Sequence, residues 1–286
     1  MAANNSTPKI KKNRRHLTPG TIAVIIVLTL FSIVAVFPFW TMIMMGTYNT
    51  PDIYTGIKLL PGNYFRENIK SLGAIAFGTY YGNSLLVATL TALITVIVCS
   101  MAGYAFAKFQ FKGKKFLMGI VILALMVPFQ LGVIGMIIEM KAIGWLSTRL
   151  PLIIPASANA FGVYWITNFT QEAIPDAVVE SAYLDGCGEF RVYLNIALPF
   201  MAPACACLAL LSFLSSWNSY LLPSIMLTNE KLYTLPLGIR QLATQYRFDV
   251  GAQICGLTFG VIPMLIMFAL FSKYLITGLA ASAVKG

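Results

Sequence analysis

The sequence predicts an all-α, polytopic membrane protein with six transmembrane helices and one short cytoplasmic helix between the fourth and fifth. Of the 286 residues, 58% are hydrophobic and only 10% charged, where a soluble domain carries roughly a quarter charged residues. That excludes a soluble globular enzyme. Cutting the chain at every Asp, Glu, Lys and Arg leaves six long charge-free stretches, 16–51, 71–107, 116–138, 150–171, 192–229 and 250–272. Each exceeds the roughly 20 residues with which a helix crosses about 30 Å of hydrocarbon. Their Leu, Ile, Met and Ala lack the apolar/polar alternation of a spanning barrel.

Trimming at Pro and Gly places the spans near 20–45, 80–106, 116–138, 150–169, 201–223 and 254–276. The first follows a basic tail of Lys9, Lys11, Lys12, Arg14 and Arg15. Its apolar run, Ile22 to Trp40, outlasts a secretory signal and shows no small-residue cleavage site, so an uncleaved helix is expected. The organisation is then a basic tail 1–19, a six-helix domain 20–276 and a C-terminal tail 277–286. His16 in the first tail is expected to be a solvated side chain. Six spans put both termini on one side, which collects twelve of the 20 bases, including Lys108, Lys112, Lys114, Lys115, Arg191, Lys273 and Lys285. The positive-inside rule makes that side cytoplasmic and the protein a multi-pass resident of the cell membrane. The net charge of +10 thus marks topology, and no nucleic-acid partner is expected.

Pro128 and Pro263 interrupt apolar segments, and Pro151 and Pro155 frame the fourth. Such kinks suit either moving helices or simple packing. The five cysteines, Cys99, Cys187, Cys205, Cys207 and Cys255, show neither disulfide nor metal-ligand spacing and are expected to be small packing residues. There is no P-loop Gly-Lys-Ser/Thr, no HExxH and no nucleophile elbow. The chain is therefore not expected to be an enzyme, or to bind a cofactor or metal itself.

Five of the ten acids, Glu172, Asp176, Glu180, Asp185 and Glu189, crowd into the loop 171–200 against a single base, Arg191. Pro175 suits the first turn of a short helix and Gly186 its stop. Glu172, Asp176 and Glu180 recur every four residues and would line one face, with Ile174, Val178 and Ala182 on another. Ser181 and Ala182 are slim enough to let the backbone enter a partner's groove. A solvated helix lying on the membrane is the alternative, although an interfacial helix normally faces anionic lipid with Lys and Arg rather than acids.

The segment "ESAYLDGCGEFRVYLNIALP", 180–199, resembles the cytoplasmic signature of the inner-membrane permease subunits of ABC importers. Glu180, Ala182, Asp185, Gly186, Ile196, Leu198 and Pro199 match that pattern, with Ser181 and Cys187 at positions where alanine is usual. Together with "YYGNSLLVATLTALITVIVCSMAGYAFAKFQFKGKKFL", "FLSSWNSYLLPSIML", "KLYTLPLGI" and "GLAASAVKG", the likeness spans most of the chain. It narrows to the second permease of carbohydrate importers of the maltose and multiple-sugar type. The resemblance implies a heterodimeric partner permease, two cytoplasmic ATPase subunits that hold ATP and Mg, and an extracellular or periplasmic sugar-binding protein. It also implies that the acidic loop is a coupling helix seated in the ATPase, with Glu180, Ser181, Ala182, Asp185 and Gly186 as coupling residues.

A neutral cargo fits the residues, because none of the six trimmed spans except their margins carries an ionisable side chain of the kind ion-coupled carriers place at mid-membrane. Asn83, Gln130, Asn159, Tyr164, Trp165, Trp217, Asn218 and Tyr220 offer the amides and aromatic faces that meet sugars. Equally, they can tie helices together or anchor at interfaces. The outer loop "GIRQLATQYRFDVGAQ" is by resemblance an element reaching toward the binding protein, with Gln241 and Tyr246 as its contacts. The competing expectations are an importer for another neutral solute and a stand-alone channel or facilitator.

Overall fold

The computed structural model describes residues 18–244 and 247–283; Lys9 to Arg15, His16, Tyr246 and Lys285 lie outside them. A long helix α1, Pro19–Met45, starts with Pro19 in its first turn and the Thr18 hydroxyl accepting from the Thr21 amide, a capped start that spares one orphan N–H. Two short helices follow, α2 (Thr50–Ile53) and α3 (Phe65–Gly73). Next come α4 (Phe77–Lys108), α5 (Lys114–Met126), α6 (Val133–Ala142), α7 (Leu150–Ser157) and α8 (Ala160–Ala173). The short α9 is Asp176–Leu184, and α10 (Glu189–Val192) runs through a π-turn at Tyr193–Ala197 into α11 (Leu198–Trp217). The remaining helices are α12 (Leu221–Met226), α13 (Leu235–Ile239) and α14 (Val250–Ala283). One antiparallel pair, β1 (Ala243–Thr244) with β2 (Arg247–Phe248), is the exception to an all-helical fold among the described residues.

Three expected spans differ in form. The third is not one helix: α5 and the 129–142 segment meet at 94°, because Val127 takes extended backbone before Pro128. The two pieces still lead the chain from one end of α4 toward the other. Lys114, at the start of α5, donates to the Phe109 carbonyl beside the end of α4, whereas Met136 and Met140 of α6 pack against Val87, Leu152 and Met226 toward the other end. The fourth breaks at Ala158–Asn159 rather than at Pro155, which stays inside α7. The fifth begins at Glu189, well before 201, so much of the expected loop 171–200 is already helix. Its π-turn lies just ahead of Pro199, whose ring would clash with the carbonyl four residues earlier in a regular turn. Pro263 sits inside a continuous α14, which passes the expected end at 276.

The centre of the molecule is α4, packed between α8 and α11 with α7 alongside. Its buried face includes Ala88, Ala92, Cys99, Ser100 and Gly103, small residues that let backbones approach where lipid supplies no hydrophobic drive between helices. A Cβ on Gly103 would lie 2.6 Å from Ile166, and one on Gly162 would lie 2.7 Å from the Cys99 sulfur, so the α4–α8 seam requires both glycines. In contrast, none of the most apolar stretch of α1 is buried within the chain, while 56% of that in Glu189–Trp217 is.

Polar contacts gather at two ends. At one, the Asn68 amide donates to the carbonyls of Gly46 and Tyr48, and Gly251 approaches the same Tyr48 carbonyl. The end of α1 therefore meets the start of α14, which places the start of α1 and the end of α14 together at the opposite end. That opposite end holds Lys108, α9 and Tyr193.

Candidate functional site

The segment from Ile174 to Glu189 is built by local sequence. Ile174 is extended ahead of Pro175, which closes α8; Pro175, at φ −60° and ψ 140°, caps α9, and Asp176 occupies the first turn, where the helix dipole favours an acid. Gly186, at φ +80°, stops the helix: its amide donates to the Tyr183 carbonyl and that of Cys187 to Ala182, both at 3.0 Å, the paired bonds of a Schellman end. Glu172 belongs to α8. The expected acidic row at 172, 176 and 180 is thus interrupted by the bend.

Of the expected coupling residues, Ala182 faces inward, while Glu180, Ser181, Asp185 and Gly186 are exposed. Ala182 and Val179 are buried, each 6% exposed, and pack with the fully buried Ile174 into a core that includes Tyr104, Val192, Tyr193 and Met201. The small apolar side is satisfied within the chain. Facing outward are Ala177, Glu180, Ser181 and Leu184, a stripe at helical spacing, followed by exposed Asp185 and Gly186. Leu184 is 89% exposed and Phe190 63%. The residue pattern did not single out Leu184; its exposure beside acids distinguishes it from the core leucines.

Lys108 anchors the segment. Its side chain, 4% exposed, pairs with Asp176 at 2.5 Å and donates to the Ile174 carbonyl. The hydrogen bond and charge of Lys108 hold the Asp176 carboxyl below its usual range. At the far side of α9 the Tyr183 hydroxyl donates to Glu189 at 2.7 Å. Burial, with that hydrogen bond, raises the hydroxyl above its ordinary value, so it remains a donor at neutral pH. The sequence had counted Lys108 as one of four topology-marking lysines.

The side chains expected to line a pathway do not share one setting. Asn83 donates to the carbonyls of Lys231 (2.8 Å) and Tyr233 (3.0 Å) and accepts from Arg149 (2.7 Å). Asn159 caps α8 by accepting from the Gly162 amide. Trp217 is 2% exposed, stacked on Phe213, with its indole N–H on the Gly260 carbonyl. Trp165 is half-buried and donates to Ala204. Gln130, at the bend after Pro128, and Asn218 and Tyr164 are exposed. Tyr220 carries Arg240 over its ring, 5.2 Å from the centroid. Gln241 accepts from the Tyr80 hydroxyl at 3.1 Å, and Tyr246 lies outside the described residues.

A family model for the inner membrane component of binding-protein-dependent transport systems matches residues 96–281, a stretch that holds the Lys108 clamp and all of α9. The chain belongs to this family. The permease is 31% identical to a probable ABC transporter permease protein of Bacillus subtilis, over 96% of this chain and 92% of that one. It is 30% identical to the arabinooligosaccharides transport system permease of Halalkalibacterium halodurans, over 88% and 92%. It is also 30% identical to the trehalose/maltose transport system permease of Thermococcus litoralis, over 93% and 97%. The permease shares its fold with a solved bacterial ABC transporter involved in importing the acidic polysaccharide alginate, at a TM-score of 0.76 and 21% identity, covering 88% of this chain and 95% of that one.

Proposed function

We propose that this permease is one of two transmembrane subunits of an ATP-driven, binding-protein-dependent importer of sugars, oligosaccharides in particular, and forms half of the translocation pathway. The observation that carries this is α9: a helix fixed on its inner side that presents Glu180, Ser181, Leu184 and Asp185 outward, the form of a helix made to enter a partner's groove. Its partners are a second permease, two cytoplasmic ATPase subunits that bind ATP and Mg, and an external sugar-binding protein. Hydrolysis belongs to the ATPases, and this chain is not catalytic. Both termini and α9 are cytoplasmic, in keeping with the basic tail and the lysine-rich loop. The sugar class is supported by relatives named for arabinooligosaccharides, lactose, and trehalose and maltose. Closure of the ATPase pair would draw α9 and switch the spans between outward-open and inward-open arrangements. Among the pathway candidates, the exposed Gln130, Tyr164 and Asn218, with the half-buried Tyr220, are the ones left to face cargo.

Co-purification tests this directly. The ATPase should be retained by the wild-type complex and lost when Glu180, Leu184 and Asp185 are changed together to Lys; retention by that variant, or cargo conduction by the purified chain without nucleotide, would refute it. Uptake over a panel of mono- and oligosaccharides then assigns the cargo.

A further inference from the structure

Lys108 is the last residue of α4, yet both acceptors of its ammonium lie on the chain that enters α9, the Ile174 carbonyl and the Asp176 carboxylate. A lysine side chain 4% exposed cannot release both without leaving its charge unpaired and largely buried, which is strongly disfavoured. If α9 moves, the end of α4 has to follow. The helix is continuous from Phe77 to Lys108, and Asn83, 25 residues earlier, lies about 38 Å away at 1.5 Å per residue. There the Asn83 amide grips the carbonyls of Lys231 and Tyr233. Between these attachments the buried hydroxyls of Thr91 and Thr95 on α4, and of Ser212 on α11, make no hydrogen bond. The middle of the α4–α11 seam is therefore held by packing, of Ala88, Ala92 and Cys99 on α4 with Leu208, Phe213 and Trp217 on α11, while the two ends of α4 are tied by hydrogen bonds, with Ser100 also bonded to Tyr193 toward the Lys108 end.

We propose that Lys108 is a positioning residue that joins α9 to α4, so that displacement of the docking helix is carried along α4 to the 229–241 loop gripped by Asn83. This rests on α9 being the ATPase-docking helix, and the experiment separates the two ideas. In the complex purified with its ATPase subunits, Glu230→Cys places a reporter on the exposed surface of that loop. Its labelling by a membrane-impermeant maleimide is followed with and without MgATP plus vanadate. With Lys108 present, the labelling rate should change by at least about fivefold on nucleotide trapping. With Lys108→Met the change should fall below about twofold while the ATPase stays bound and hydrolyses ATP, and Lys108→Arg should restore it. A merely structural role would reduce ATPase retention and hydrolysis together with the change in labelling, which would overturn the proposal, as would a full change in Lys108→Met. Should Lys108→Met fail to assemble, Asp176→Asn decides, since that side chain is 80% exposed and the isosteric amide removes the charge of the pair without changing its size. A diminished change supports the link and an undiminished one overturns it. Absence of bound ATPase from the wild-type complex would instead refute the docking role of α9.

Discussion

The Asn83 end and the Lys108 end of the permease use polar side chains in opposite ways. At the first, amides are turned inward onto the chain's own carbonyls: Asn68 holds Gly46 and Tyr48, Asn83 holds Lys231 and Tyr233, and Arg149 closes on Asn83. At the second, a single buried lysine secures the segment from beneath, and the upper side of α9 shows solvent Glu180, Ser181, Leu184 and Asp185. Loops at one end are finished by intramolecular hydrogen bonds. The helix at the other is braced and then left with an unsatisfied apolar tip. Substitutions at the Asn83 end should accordingly register as lost folding stability, and those on α9 as lost assembly.

The largest effect on this view comes from Asn83→Leu, which strands two carbonyls and the Arg149 donor. Thermal unfolding of the detergent-purified permease should show a loss of about 3 kcal/mol. Next is Leu184→Glu, which should weaken ATPase retention roughly tenfold to a hundredfold, the worth of one buried leucine, with stability within about 0.5 kcal/mol of wild type. If Leu184→Glu lowers the melting temperature as much as Asn83→Leu does, the contrast between the ends fails. Gly186→Val comes third: a β-branched residue at φ +80° costs about 1–2 kcal/mol. It should displace the end of α9, so that the protein inserts but transport is uncoupled; normal ATP-driven uptake would contradict this.

The smallest effect is that of pH. Because Lys108 lowers the Asp176 value in the folded chain, the stabilisation from the pair is complete above the ordinary carboxylate value of 3.8 and is lost only as pH falls through the lowered one. ATPase retention should therefore be the same at about pH 5 as at pH 7. Loss of binding between them that Asp176→Asn abolishes would show that the carboxylate is not held down.

Much of this was legible from residue types. Charge-free runs located the crossings, and Pro175 with Gly186 bounded the short helix closely. The expected unbroken third span was wrong because length and apolarity cannot distinguish one helix from two pieces bent at Pro128. The inward setting of Ala182 was not legible because so small a side chain suits either the chain's own core or a partner. Lys108 was missed because a lysine at a helix end ordinarily points to water, and nothing nearby in sequence shows that its acceptors come from a segment more than sixty residues later.

Membrane residence, the number of crossings and the family signature were determined by the sequence alone, since hydrocarbon excludes charge wherever a helix must cross it. Which side of each span is buried was decided by tertiary structure. In α1, α4 and α11 apolar residues lie on every side, and lipid and protein interior are nearly equivalent surroundings for those residues, so hydrophobicity alone does not record the choice. It falls instead to close approach at Gly103 and Gly162 and to hydrogen bonds such as those of Asn83 and Lys108, contacts that exist only once distant segments have come together.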